Sequence, residues 1–159
     1  MSIKDGDKIP AGSLTVMGDK GPKPTSTDDL FSGKKVVLFA VPGAFTPTCS
    51  NAHLPGFVVQ ADEIKAKGVD SIICMAVNDV FVMDAWGKDQ NAEALIMAGD
   101  GNGDFTKSLG LELDGVPMGM GLRSQRFAII IDDGVATKVL VEPARGLDVS
   151  SAESVLSHL

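Results

Sequence analysis

The chain has 159 residues, 44% of them hydrophobic and 22% charged, the balance of an ordinary soluble domain large enough to bury a core. Its net charge is −7 and its only arginines are Arg123, Arg126 and Arg145, which argues against nucleic acid as a main partner because phosphate binding draws on clustered cations. No apolar run approaches the roughly 20 residues that span a bilayer, so no membrane partner is expected. Residues 1–33 are turn-rich, with "MSIKDGDKIP" lacking the layout of a signal peptide, and hold a predicted short hairpin around Leu14–Met17. "KKVVLFAV" (34–41) then reads as a buried strand, bounded by Gly33 and by Pro42–Gly43.

From Thr48 to Lys67 the pattern is helical, and Pro55 inside it should kink or restart the helix because it lacks an N–H. "VDSIICMAVN" (69–78) is a second buried strand, and 79–89 a helix with Asp79 as its N-cap. A third strand is expected over 94–100 and a short helix over 103–111. Two further strands, "QRFAIIID" and "VATKVLVE", flank Asp133–Gly134, a two-residue hairpin signal. The tail 150–159 is helical, capped by Ser150 or Ser151, with Glu153 in its first turn. Nothing divides residues 1–159 into separate domains. The order β-α-β-α-β-α-β-β-α predicts an α/β fold with a central mixed sheet flanked by helices, the thioredoxin-like order, preceded by an N-terminal extension.

Cys49 and Cys74 are the only cysteines. Two thiols do not make a disulfide framework, so a reducing, cytoplasmic setting is expected. Cys49 follows a predicted strand at the point where a helix opens, and unpaired N–H groups at a helix N-terminus favour a thiolate. Thr46, three residues earlier, can bring its hydroxyl to the space before the sulfur. Pro42 and Pro47 stiffen the turn, and Pro42 can shield the sulfur from water. Free cysteine is often mere packing, but this polar, proline-flanked turn favours a reactive one.

Magnitudes define what such a site needs. An ordinary cysteine, pKa ~8.5, is roughly 3% thiolate at pH 7, and a shift to about 6 gains only about 30-fold in nucleophile. Any larger acceleration must come from groups that stabilise charge in the transition state. For a peroxide, those groups must hydrogen-bond both oxygens as the O–O bond breaks. A threonine hydroxyl, nearby backbone N–H groups and a guanidinium would serve.

"PGAFTPTCSNAHLPGF" resembles the active-site segment of the peroxiredoxins, P-x-x-x-T-x-x-C, met here by Pro42, Thr46 and Cys49. The wording "GVDSIICMAVND", "FVMDAWGK", "DGNGDFTKSLGLELD" and "RSQRFAIIIDD" extends the likeness to the type II, or peroxiredoxin-5, subfamily from about Gly6 to Leu159. The resemblance implies a thiol peroxidase that reduces hydrogen peroxide and organic hydroperoxides. Cys49 would be the peroxidatic cysteine, Thr46 the hydroxyl that hydrogen-bonds thiolate and peroxide, and Pro42 the shield. The family's catalytic arginine stands before an aromatic residue opening a strand, which selects Arg126 before Phe127 over Arg123 in a glycine-rich loop. The alternative is a thioredoxin-fold sensing or interaction module that uses Cys49 stoichiometrically.

Some subfamily members carry a resolving cysteine near the C-terminus, in wording like "GLTCS"; here "GLDVS" puts Val149 in that place. Cys74, inside "SIICMAV", reads as a buried strand residue. The expectation is a one-cysteine mechanism in which an external thiol, glutaredoxin with glutathione or thioredoxin, reduces the Cys49 sulfenic acid. No cofactor or metal is expected: there is no C-x-x-C pair for zinc, and "DGNGDF" (100–105) has Phe105 where a calcium loop needs glycine. His53 could share a helix face with Cys49, yet cysteine-protease signatures are missing and a structural or surface role is expected. Phe81, Met83 and Trp86 read as a helix packing face that, with Phe45, would line the homodimer surface the resemblance implies.

Overall fold

The computed structural model describes residues 1–143 and 146–159. Among them a seven-stranded mixed sheet forms the centre. In chain order its strands are β1 (Ser13–Gly18), β2 (Gly21–Ser26), β3 (Lys35–Ala40), β4 (Ser71–Ala76), β5 (Ile96–Gly99), β8 (Phe127–Asp132) and β9 (Val135–Val141). Two shorter strands, β6 (Glu112–Asp114) and β7 (Leu122–Ser124), make a separate antiparallel pair. In space the order is β2-β1-β5-β4-β3-β8-β9, with β3-β4 and β4-β5 parallel and the remaining pairs antiparallel. The helices are α1 (Thr27–Phe31), α2 (Leu54–Ala66), α3 (Val80–Asp89), α4 (Asp104–Leu109) and α5 (Ala152–Ser157). This is the expected α/β arrangement of central mixed sheet and flanking helices.

The alternation of side chains along a strand explains how one apolar run serves two cores. On β3, Val37 and Phe39 face the core closed by α2, α3 and α5, while Val36, Leu38 and Ala40 face the one closed by α1 and α4. All five are fully buried. Phe39 stacks on Phe57 of α2 with ring centroids 3.9 Å apart and planes 8° from parallel. That pair fixes α2 against the carboxyl end of β3, where the site lies.

Local signals worked where they were strong. Asp79 accepts a hydrogen bond from the Val82 N–H and caps α3, and Ser151 does the same for Ser154 at α5. Asp133 and Gly134 both have positive φ, 48° and 78°, the mirror-type turn that suits the twist of β8 and β9. Three features differ from expectation. Helix α1 forms inside the turn-rich N-terminal stretch because Ser26 caps it and Leu30 and Phe31 are buried. The glycine-rich segment around Arg123 contains the β6–β7 pair, so Arg123 lies on a strand. Phe81 is 63% exposed although Met83 and Trp86 are fully buried: residues two apart on a helix point to different sides.

The Asp100 carboxylate in "DGNGDF" accepts from the Phe105 and Thr106 N–H groups and the Thr106 hydroxyl, so it anchors the start of α4.

Candidate active site

Pro55 shapes the ground on which Cys49 stands. It cannot donate a hydrogen bond to the carbonyl four residues back, and its ring crowds that carbonyl. The preceding residues Cys49–His53 form a π turn, closed by the Leu54 N–H bonding to the Cys49 carbonyl, and α2 continues with Pro55 in its first turn. The insertion is the restart expected from the proline, and single π turns of this kind recur at functional sites.

The turn before it is fastened on several sides. The Ala44 N–H donates to Asn78 Oδ1 at 3.0 Å, and the Thr46 hydroxyl donates to the Gly43 carbonyl at 2.6 Å. Phe45, between them, adopts φ 64°, a conformation that costs a bulky residue energy and that the surrounding contacts impose. One residue past Cys49, the Ser50 hydroxyl accepts a hydrogen bond from the indole N–H of Trp86 at 3.0 Å.

Cys49 is fully buried. Its sulfur receives one terminal nitrogen of Arg126 at 3.2 Å. The other terminal nitrogen of that guanidinium lies 2.9 Å from Nδ1 of His53. His53 Nε2 lies 2.9 Å from the carbonyl of Ser150. A carbonyl only accepts, so Nε2 carries the imidazole proton, and Nδ1 is left as the acceptor for Arg126. Burial drives the His53 pKa down from 6.5 to about 3; the Ser150 bond pulls it up, Arg126 lowers it and Glu142 raises it. A neutral ring with both nitrogens occupied has no lone pair to act as a base toward Cys49. Of the structural or surface role expected for His53, the structural one holds: the ring is buried and bonded to Arg126.

Arg126 immediately precedes β8, and a cavity of about 520 Å³ opens over it, with Pro42, Thr46, Leu113, Met120 and Pro143 among its walls. Arg123 points elsewhere. Its Nε donates to the Met120 carbonyl at 2.9 Å and a terminal nitrogen to the Val77 carbonyl at 3.3 Å, so it clamps the 115–121 segment to the sheet. Arg145 lies outside the described residues. The four residues named from the sequence, Pro42, Thr46, Cys49 and Arg126, thus meet at one end of the sheet. Glu142 and Ser150 were not legible there: Glu142 accepts from the N–H groups of Asp148 and Ser150 and from the Ser150 hydroxyl, at 2.7 to 2.9 Å. Burial raises the Glu142 pKa, but these bonds, with one from the Val149 backbone, outweigh it and hold the group below the usual value.

Cys74 sits in the middle of β4, opposite Phe39 and Met97. It is fully buried, and burial, with a smaller contribution from Cys49, pushes its thiol well above the ordinary range. A thiol in that state is a poor nucleophile.

Comparison with known proteins agrees with this geometry. The family described as Redoxin matches residues 4–156. Peroxiredoxin-2B of Arabidopsis thaliana is 49% identical over 160 residues, covering 99% of this chain and 98% of the relative. Hybrid peroxiredoxin hyPrx5 of Haemophilus influenzae is 41% identical, covering 100% of this chain and 67% of the relative. Among solved structures, reduced Prx3 of Vibrio vulnificus in complex with H2O2 superposes with a TM-score of 0.95 at 54% identity, covering 98% of both chains. A relative described as a 1-Cys peroxiredoxin, from Plasmodium falciparum, superposes at 0.91 with 30% identity, again over 98% of both chains. With a reactive-cysteine turn, a guanidinium on its sulfur and full-length likeness to these enzymes, the chain belongs to the peroxiredoxins, in their type II group, and is a thiol peroxidase.

Proposed function

We propose that the enzyme works by a one-cysteine cycle in which Cys49 is oxidised by a hydroperoxide and reduced by a thiol from another molecule. The contact between Arg126 and the Cys49 sulfur carries this reading. The Cys49 thiolate attacks one peroxide oxygen, the S–O bond forms as the O–O bond breaks, and the leaving oxygen takes a proton to depart as water or an alcohol. Arg126 lies where it can bond sulfur and oxygen together while negative charge moves along the S–O–O axis. The Thr46 hydroxyl, which now donates to Gly43, can rotate toward a peroxide oxygen, and Pro42 walls the cavity against water. The apolar side of that cavity, with Leu113, Met120 and Pro143, suits the carbon chain of an organic hydroperoxide as well as hydrogen peroxide.

The sulfenic acid then condenses with an external thiol, releasing water and forming a mixed disulfide; a second thiol of the donor attacks the donor's sulfur, so that Cys49 leaves as its thiolate and the donor as a disulfide. Val149 stands where a C-terminal resolving cysteine would be, and Cys74 is buried in β4. Glutaredoxin with glutathione, or thioredoxin, is the proposed donor, and the cytoplasm the proposed compartment. Peroxide consumption with each donor system, with Cys49→Ser as the blank, tests this. Cys74→Ser should keep turnover within about twofold of wild type. Its loss, with sulfenic acid persisting on Cys49, would show that Cys74 resolves the intermediate.

A homodimer is proposed as the working assembly. Its support is two large exposed rings, Phe45 in the turn before Cys49 at 54% and Phe81 on α3 at 63% exposure, where a solvated surface would carry polar groups. Sedimentation should give about twice the 16.5 kDa chain mass, and Phe81→Asp should shift the protein toward monomer.

A further inference from the structure

The bonds on the far side of Arg126 form an unbroken series. From the sulfur outward it runs Cys49, Arg126, His53, the Ser150 carbonyl, then Glu142, with links of 3.2, 2.9 and 2.9 Å before the Glu142 bonds to Ser150. Glu142 also holds Arg126 from behind, because its own N–H donates to the Arg126 carbonyl at 3.0 Å. One residue therefore fixes the backbone of the arginine and, through the 148–150 segment, the tip of its side chain.

We propose that Glu142 is a positioning residue for the peroxide reaction: by pinning the 148–150 segment it holds the Ser150 carbonyl on His53, and so sets the ring in the form that orients Arg126 on the Cys49 sulfur. This rests on the reading that Arg126 promotes the oxidation of Cys49.

The physical chain has three steps. Glu142 and Ser150 are both buried, at 9% and 0% exposure, so the three bonds converging on one carboxylate oxygen are not exchanged for water at little cost. Apart from Val149, which packs against the core, little else holds that segment: among the described residues of 146–150, the remaining backbone–backbone bond is the Asp148 carbonyl accepting from the Ser151 N–H. Next, the imidazole has two tautomers, and the Ser150 carbonyl selects the one protonated at Nε2. Finally, guanidinium nitrogens only donate. If the Ser150 carbonyl withdrew, the proton could move to Nδ1, and Nδ1–H would then face an N–H of Arg126. The arginine would turn away, taking its second nitrogen off the sulfur. A misplacement of about 1 Å in such a group can cost about 100-fold in rate.

The substitutions that test this are Glu142→Ala and Glu142→Gln. The glutamine amide oxygen can accept the same three hydrogen bonds, whereas alanine accepts none. Two rates would be measured on each folded, fully reduced protein: oxidation of Cys49 by hydrogen peroxide, and alkylation of Cys49 by iodoacetamide. Alkylation needs the thiolate but not the arginine's stabilisation of a breaking O–O bond. Glu142→Ala should slow oxidation at least 10-fold while alkylation stays level or rises, and Glu142→Gln should recover oxidation to within about fivefold of wild type. Arg126→Lys, run alongside, separates the layers. If it slows oxidation but Glu142→Ala does not, Glu142 has no positioning role. Equal losses in both rates, or no recovery with glutamine, would reduce Glu142 to a fold-stabilising residue and overturn the proposal. An unaffected Arg126→Lys would show that charge alone suffices at this position, so that orientation of the guanidinium does not matter, and would overturn the positioning proposal while leaving Arg126 its part in the oxidation.

Discussion

Arg126→Lys is expected to slow the oxidation of Cys49 by peroxide by roughly 10²–10³-fold, the usual consequence of losing a preorganised donor at a site of developing charge. This corresponds to about 3–4 kcal/mol of transition-state stabilisation. Lysine keeps the positive charge, so the loss isolates geometry. The guanidinium is a rigid fork whose two terminal nitrogens reach His53 and the Cys49 sulfur together. An ammonium on a flexible stem is a single point donor and cannot hold both partners in fixed relation. Stopped-flow measurement of sulfenic acid formation reads the effect directly, independent of any reductant. A loss below about threefold would show that charge alone suffices. Arg123→Lys in the same assay should act mainly on stability, since the Arg123 side chain donates to the carbonyls of Met120 and Val77 and not to the sulfur.

The second large effect is on folding stability as pH falls. His53 is held at a pKa of about 3 in the folded chain against 6.5 for an ordinary histidine. The unfolded chain therefore takes up this proton first on acidification. The stabilisation is complete above about pH 6.5 and is lost progressively as pH falls from there toward 3. By pH 5 the loss amounts to about 2 kcal/mol, at 1.36 kcal/mol per pH unit. For a domain of this size that is a fall of about 5 °C in Tm. Glu142 acts in the same direction further down: its lowered pKa gives stability that is present above the ordinary carboxylate range and lost below it. Thermal melts of wild type and His53→Gln between pH 7 and pH 5 check this. The variant should be less stable at pH 7 yet show a flatter slope, and parallel slopes would mean that His53 is not the group responsible.

The sequence carries most of the fold because its strongest signals are local. "VVLFA" and "IICMA" are apolar on both faces, short and bounded by turn residues, and so read as strands of a sheet covered on both sides. Asp79 and the Asp133–Gly134 turn announce themselves in two or three residues. The site is half legible in the same sense. Pro42, Thr46 and Cys49 lie within eight consecutive positions, and Arg126 follows from the resemblance, which sets the arginine before an aromatic residue opening a strand.

His53 shows where local reading stops. Its spacing from Cys49 made it a candidate for a shared face, but its neutrality depends on burial and on the Ser150 carbonyl, 97 positions away. Glu142 looks from the sequence like the exposed end of a strand, and only the return of the chain at 148–150 turns it inward. The π turn at Cys49–His53 is intermediate: Pro55 signals an irregularity without saying which kind, since a kink, a break and an inserted residue all satisfy a missing N–H.

The hydrogen bond between Trp86 and Ser50 has a practical consequence. Trp86 is the chain's single tryptophan, it is fully buried, and its indole N–H is tied to the residue beside the reacting sulfur. Any rearrangement of the turn during the catalytic cycle alters the polarity and hydrogen bonding that this one indole experiences. The protein therefore carries an intrinsic optical gauge of its redox state, with no second tryptophan to dilute the signal and no label required.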